Sequence, residues 1–238
     1  VEPALLEPLE AMCRDFRPFS GARAVLVAGS PKNIFKGAVG GYGSIKGAPA
    51  FLAFMGAAED PRVNEKVGYT GQGIILEATA LGLHTCWIGA LFRPDLAASL
   101  TGAADHERVL AVSPVGYAAG GHTLEERIME GFGRNHRRKS LAEMTRGLEE
   151  SKRPRWMQAA LEAARLAPSA VNRQPWRFDV EEGGITVSVD SLQDSHNISR
   201  RLDCGIAMLH LEVAALDSGV RGAWQPLEPP GVARFVPS

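Results

Sequence analysis

Residues 163–178 read Ala-Ala-Arg-Leu-Ala-Pro-Ser-Ala-Val-Asn-Arg-Gln-Pro-Trp-Arg-Phe. One short turn therefore collects Pro168, Ser169, Ala170, Asn172, Arg173 and Gln174. A hydroxyl, two carboxamides and the backbone N–H groups of a turn can donate and accept at once. Such a set suits a planar polar ring that needs several donors and acceptors along its edge. In an arbitrary loop, the same side chains would merely satisfy their own turn. Ser169 lacks the G-x-S-x-G elbow of a serine nucleophile. No histidine falls in an H-E-x-x-H or other ligand spacing, so no metal is expected, and His84 and His210 read as packed or surface histidines.

The elements that must position this turn are legible on either side. Pro154 suits a helix start, and Met157, Ala160, Leu161 and Ala164 recur at i, i+3, i+4 and i+7. Pro168 stops that helix, since it lacks an N–H and disfavours helical geometry at Ala167. After Pro175, residues 176–181 and 184–190 alternate as strands. A helix over 198–216 follows, and a proline-rich tail closes the chain. Upstream, residues 4–16 predict an amphipathic helix, 24–28 and 50–55 strands, and 68–81 a helix apolar nearly all round. In that helix Gly71, Gly73 and Ala78 leave one side small enough for a flat ring or another helix. Residues 84–90 predict a strand turning into a loop, 94–100 a short helix, and 109–117 a buried strand. The glycine-rich stretch 36–47 has neither G-x-G-x-x-G nor G-K-[ST] and reads as a flexible loop, or a lid over a ligand. Residues 118–139 read as a loop or linker ending in Arg134, His136, Arg137, Arg138 and Lys139.

Global properties narrow the function classes. A chain of 238 residues can bury a substantial core. Its net charge of −1 gives no general attraction to nucleic acid or an anionic membrane. No apolar run approaches the roughly 20 residues of a membrane span. Three widely spaced cysteines, Cys13, Cys86 and Cys204, fit a reducing cytoplasm rather than a disulfide scaffold. The chain also pairs with itself. At a spacing of 137 positions, Gly68 meets Gly205, Ala78 meets Ala215, Gly82 meets Gly219 and Trp87 meets Trp224. Gly47 likewise meets Gly184, and Leu83 meets Val220. Either one helix–turn–strand unit occurs twice, or two buried helices share small residues by chance.

The string Ala-Pro-Ser-Ala-x-Asn-x-Gln-Pro-Trp-Arg-Phe resembles the flavin-binding turn of the FMN-dependent nitroreductase superfamily. Residues 69–89 resemble that family's central helix and following strand. Pro114-Val115-Gly116-Tyr117 and Arg137-Arg138-Lys139 resemble its later strand and cationic phosphate-binding segment. The order is unusual, because in ordinary members the N-x-Q-P-W turn precedes the central helix. This arrangement resembles a less common branch, typified by nitroreductases of thermophiles, in which one chain fuses two diverged halves.

The resemblance implies an α+β, nitroreductase-like fold, with residues 1–139 as a first half and 140–238 as a second half carrying the turn. The two halves would form a pseudo-dimer, as a monomer or a homodimer of such chains. It implies FMN as cofactor, held by Pro168, Ser169, Ala170, Asn172 and Gln174, by Trp87, Ile88 and Gly89 with backbone N–H groups near flavin N5, and by Arg137, Arg138 and Lys139 at the phosphate. From composition alone, that basic trio is a solvated charge run. One flavin per chain is implied, since no N-x-Q-P-W stands in the first half. The implied activity passes electrons from NAD(P)H through flavin to a nitroaromatic, quinone or related small-molecule acceptor, with flavin N5 rather than any side chain carrying the chemistry. The alternative is a non-catalytic flavin-binding or sensing protein with a degenerate site. Ordinary members open with an Arg-x-Ser-x-Arg type segment that grips the FMN phosphate. None precedes the first helix here, so it was lost or belongs upstream of Val1.

Overall fold

A computed structural model describes residues 1, 3–29, 33–35, 45, 47–117 and 137–238. The glycine-rich stretch, apart from residues 45 and 47, and residues 118–136 lie outside the described residues. The chain divides into two compact units, Val1–His136 and Arg137–Ser238. The basic trio thus opens the second unit, whereas the sequence reading placed it at the end of the first half.

The first unit orders its elements as α1 (Pro3–Asp15), β1 (Ala22–Ala28), β2 (Ala50–Ala57), α2 (Val63–Ala80), β3 (His84–Thr85), α3 (Pro94–Thr101) and β4 (Glu107–Gly116). Its antiparallel sheet runs β1-β2-β4-β3. Strand β2 is buried on both faces, which its uninterrupted apolar run requires. Leu52 and Phe54 pack with Leu9, Ile74 and Ala78 of the two long helices. Phe51, Ala53 and Met55 point the other way, to Ala97 of α3. Helix α2 begins five residues before the predicted Gly68. The Asp60 carboxylate accepts from Arg62 N at 2.8 Å and from Lys66 Nζ at 2.6 Å, which stabilises that earlier start. The predicted strand over 84–90 shrinks to two residues plus an isolated bridge between Ile88 and Val112.

The second unit contains α4 (Leu141–Met144), β5 (Thr145–Gly147), α5 (Arg155–Leu166), β6 (Trp176–Glu181), β7 (Gly184–Val189), α6 (Arg200–Asp217), β8 (Gly222–Pro226) and β9 (Gly231–Pro237). Its sheet runs β5-β6-β7-β9-β8, antiparallel except for the β5–β6 pair. Met157, Ala160, Leu161 and Ala164 of α5 are fully buried, as their spacing predicts. The proline-rich tail is not a loose end. Its prolines bound a tight connection, and Val232, Ala233 and Phe235 are buried in β9. No helix among the described residues is long and apolar enough to cross a membrane.

The two units repeat one topology. Strand order β1-β2-β4-β3 corresponds to β6-β7-β9-β8, each with a long helix between its second and third strands in chain order. Helices α2 and α6 both span 18 residues, and their ends stand 137 positions apart, the spacing of the sequence self-match. The capping bonds repeat too. Leu83 N donates to Ala78 O at 2.8 Å and Val220 N to Ala215 O at 2.8 Å. Gly82 N donates to Thr79 O and Gly219 N to Leu216 O. Both glycines hold a left-handed φ, +75° and +79°, where a side chain would be strained. Trp87 Nε1 donates to Gln72 and Trp224 Nε1 to Glu212, each on its own unit's long helix. Two pairs of matched capping bonds are hard to attribute to shared small residues alone. The strands keep register less well, since β2 begins at Ala50 and β7 at Gly184.

Candidate functional site

Helix α5 ends at Leu166, and β6 starts at Trp176. Between them the backbone makes a single 3-10 turn over Ala170–Asn172. Val171, Asn172 and Gln174 have φ of 46°, 52° and 49°. For a β-branched residue such as Val171 this is a costly conformation, and each residue so held costs about 1–3 kcal/mol. Surrounding bonds must therefore impose it.

Two sets of bonds do so. On one side, residues 137–139 lie along the turn. Lys139 N donates to Gln174 Oε1 at 2.8 Å, and Gln174 Nε2 donates to Arg137 O and Asn172 O at 3.0 Å each. Asn172 Nδ2 donates to Arg137 O at 3.2 Å. Arg138 Nη1 donates to Ala167 O and Asn172 Oδ1, and Lys139 Nζ to the carbonyls of Arg173 and Gln174. On the other side, Arg173 Nε donates to Asp203 Oδ2 at 2.7 Å, and Ala170 N donates to Asp203 Oδ1. Ser169 ties the turn to itself, its Oγ accepting from Gln174 N at 2.9 Å.

The structure differs from the sequence expectation in three respects. First, residues 137–139 are packed against the turn and are not linker. Burial lowers the Lys139 pKa, with Arg177 adding to the effect. Second, the Gln174 carboxamide is buried and occupied by the protein's own backbone. It braces the turn from inside, and the Asn172 carboxamide shares that work. Third, the small side of α2 is already filled. A Cβ on Gly71 would lie 2.5 Å from the Trp87 ring, and one on Gly73 would lie 2.4 Å from Phe16. Trp87 itself packs on Phe54 with ring centroids 4.4 Å apart.

Groups that remain unspent are few and specific. The Arg137 guanidinium is exposed and makes no hydrogen bond or ion pair among the described residues, although its carbonyl is held twice. The Ser169 hydroxyl proton likewise has no acceptor among the described residues. An unengaged cation and a hydroxyl beside a half-buried turn fit the phosphate end of a nucleotide. In the first unit, Ile88 N donates to Val112 O at 2.9 Å, so it cannot serve as the N–H donor expected of it. The Gly89 N–H has no hydrogen-bond partner among the described residues.

Two titratable groups on α6 stand behind the turn. Burial pushes the Asp203 carboxyl up to about 6, against the opposing pull of Arg173 and the Ala170 N–H. Burial also pushes the His210 imidazole down to about 4, and the nearby Arg138 charge adds to it. Neither this pairing of Arg173 with Asp203 nor the Arg138–His210 proximity leaves a local pattern in the sequence, because the partners are distant along the chain. Trp176 Nε1 is buried without an acceptor among the described residues.

A family model described as "Putative TM nitroreductase" matches residues 1–215. The structure is similar to that of a putative nitroreductase from Thermotoga maritima, with a TM-score of 0.58 and 21% identity over 80% of this chain and 71% of that one. This likeness shows the nitroreductase fold, of mixed helix and sheet. An FMN-dependent nitroreductase from Clostridium difficile matches with a TM-score of 0.42 and 20% identity, covering 52% of this chain and 80% of that one. A variant of an FMN- and NADPH-dependent nitroreductase from Sphigopyxis matches at 0.38 and 13%, covering 52% and 82%. No curated protein sequence matches significantly.

Two measurements check this account of the turn. Gln174→Leu keeps most of the volume but strips partners from Lys139 N and the Arg137 carbonyl. It should lower stability to urea by about 1–3 kcal/mol without any ligand present. A side chain that only contacted a ligand would give no loss. For His210, the folded pKa lies below the unfolded value, so its contribution is full above pH 6.5 and declines as pH falls toward 4. Parent protein should lose about 2–3 kcal/mol more than His210→Gln between pH 7 and pH 4.5 in urea unfolding.

Proposed function

This chain belongs to the TM nitroreductase family, and we propose that it is an FMN-dependent oxidoreductase passing electrons from NAD(P)H to a nitroaromatic, quinone or similar acceptor. The observation that carries this reading is the braced turn with a clamped, unspent Arg137 beside it. Arg137 opens the second unit ahead of α5 and the turn. The resemblance matches Arg137-Arg138-Lys139 to the family's cationic phosphate-binding segment.

The chemistry a bound flavin supplies is reversible two-electron transfer at N5. The chain's own residues bind and orient. Arg137 would hold the phosphate through its guanidinium, a permanent charge with a planar pair of donors. Asn172 and Gln174 hold the Arg137 carbonyl and so fix where that charge stands. Ser169 offers its hydroxyl proton, and Pro168 and Ala170 set the backbone edge of the turn. Arg138 Nη1 and Lys139 Nζ serve the cofactor indirectly, since they donate to turn carbonyls and to Asn172. The free cysteines suit a reducing, cytoplasmic setting.

Turnover separates this enzyme from a flavin carrier or sensor. Protein loaded with FMN should oxidise NADH or NADPH with menadione as acceptor, and flavin binding without turnover would assign the non-catalytic role. Arg137→Ala is the sharper probe, because that guanidinium takes no part in bracing the turn. A lost charged hydrogen bond is worth about 1.5–3 kcal/mol, so FMN affinity should fall at least about tenfold while riboflavin affinity stays. Equal loss for both ligands would remove Arg137 from the phosphate.

A further inference from the structure

Resting on the reading above, we infer that Arg173 is a positioning residue for the flavin: its guanidinium locks the 169–174 turn to the loop before α6 and to α6 itself. The turn is thereby set in its binding shape before any ligand arrives. Arg173 occupies the variable position between Asn172 and Gln174, so the motif gives it no role.

The geometry singles it out. Its side chain is only 8% exposed, and its partner Asp203 is 2% exposed. Nε donates to Asp203 at 2.7 Å, Nη1 to Ser195 O at 3.2 Å and to Ser195 Oγ at 3.0 Å, and Nη2 to Ile198 O at 3.0 Å. One planar group thus ties the turn to one loop, through Ser195 and Ile198, and to the Asp203 side chain on α6. Both loops that it joins are conformationally costly. Val171, Asn172 and Gln174 on one side, and His196 and Asn197 on the other, all have left-handed φ. Asp203 completes the lock by accepting from Ala170 N in the turn itself. Lysine offers a compact charge with no fork, so it can reach Asp203 or the carbonyls but not span them.

A buried ion pair can usually be replaced by packed apolar side chains without loss of stability. That fact separates positioning from mere support. The full chain would be compared with Arg173→Lys and with the double variant Arg173→Met, Asp203→Leu. Each is followed by thermal melting, FMN affinity from fluorescence quenching, and hydrogen exchange over residues 169–174. The expected result is an unchanged fold, exchange in the turn faster by about tenfold or more, and FMN affinity weaker by about tenfold or more. Arg173→Lys carries the test by itself if the double variant does not fold. Folded variants that bind FMN within about threefold of the parent, with unchanged exchange in the turn, overturn the inference alone. A parent chain that binds no FMN overturns the functional reading and this inference with it.

Discussion

The site depends on a turn that could not hold its shape unaided. Three of its residues are left-handed, one of them valine, and their combined cost is several kcal/mol. What opposes that cost is a carboxylate and a guanidinium buried together, with hydrogen bonds that exhaust most of the guanidinium's donors. Breaking one partner of such a pair leaves an uncompensated charge in the interior, which is why the pair constrains shape more firmly than surface contacts do. The opposite side of the turn is held by carboxamides and a half-buried lysine. With both faces braced, the exposed edge is preorganised, and a ligand need not supply ordering energy on binding.

The two units share a topology, yet this arrangement stands in the second. The long helices share length, spacing and capping bonds, so both units cover a four-strand antiparallel core in one way. They differ in what surrounds that helix. The second unit joins β6 to β7 by a two-residue hairpin and adds β5 and the N-x-Q-P-W turn. The first unit separates β1 from β2 by 21 residues, 29–49, and fills the small side of α2 with Trp87, Phe54 and Phe16.

Much of this was legible in the residues, and the boundary of legibility is physical. Helix α5 was plain because Met157, Ala160, Leu161 and Ala164 share a face, and its end was plain because Pro168 removes a donor. The 137-residue spacing was legible because caps and close packing restrict which residues fit. By contrast, the roles of Gln174 and Asn172 depend on a segment about 35 positions away, and Arg173 on an aspartate 30 positions away. Periodicity carries no such information. Strand β9 was hidden behind the prolines of its own turn, and α2 began early because of an aspartate two turns ahead of its first glycine.

Under the proposed function, only the unit with the braced turn is equipped for flavin. Equilibrium dialysis of the full chain against saturating FMN, with flavin and protein both quantified after denaturation, measures this directly. One flavin per chain is the predicted result. Two per chain would mean that the first unit binds as well, and none would mean that the braced turn is not a flavin site.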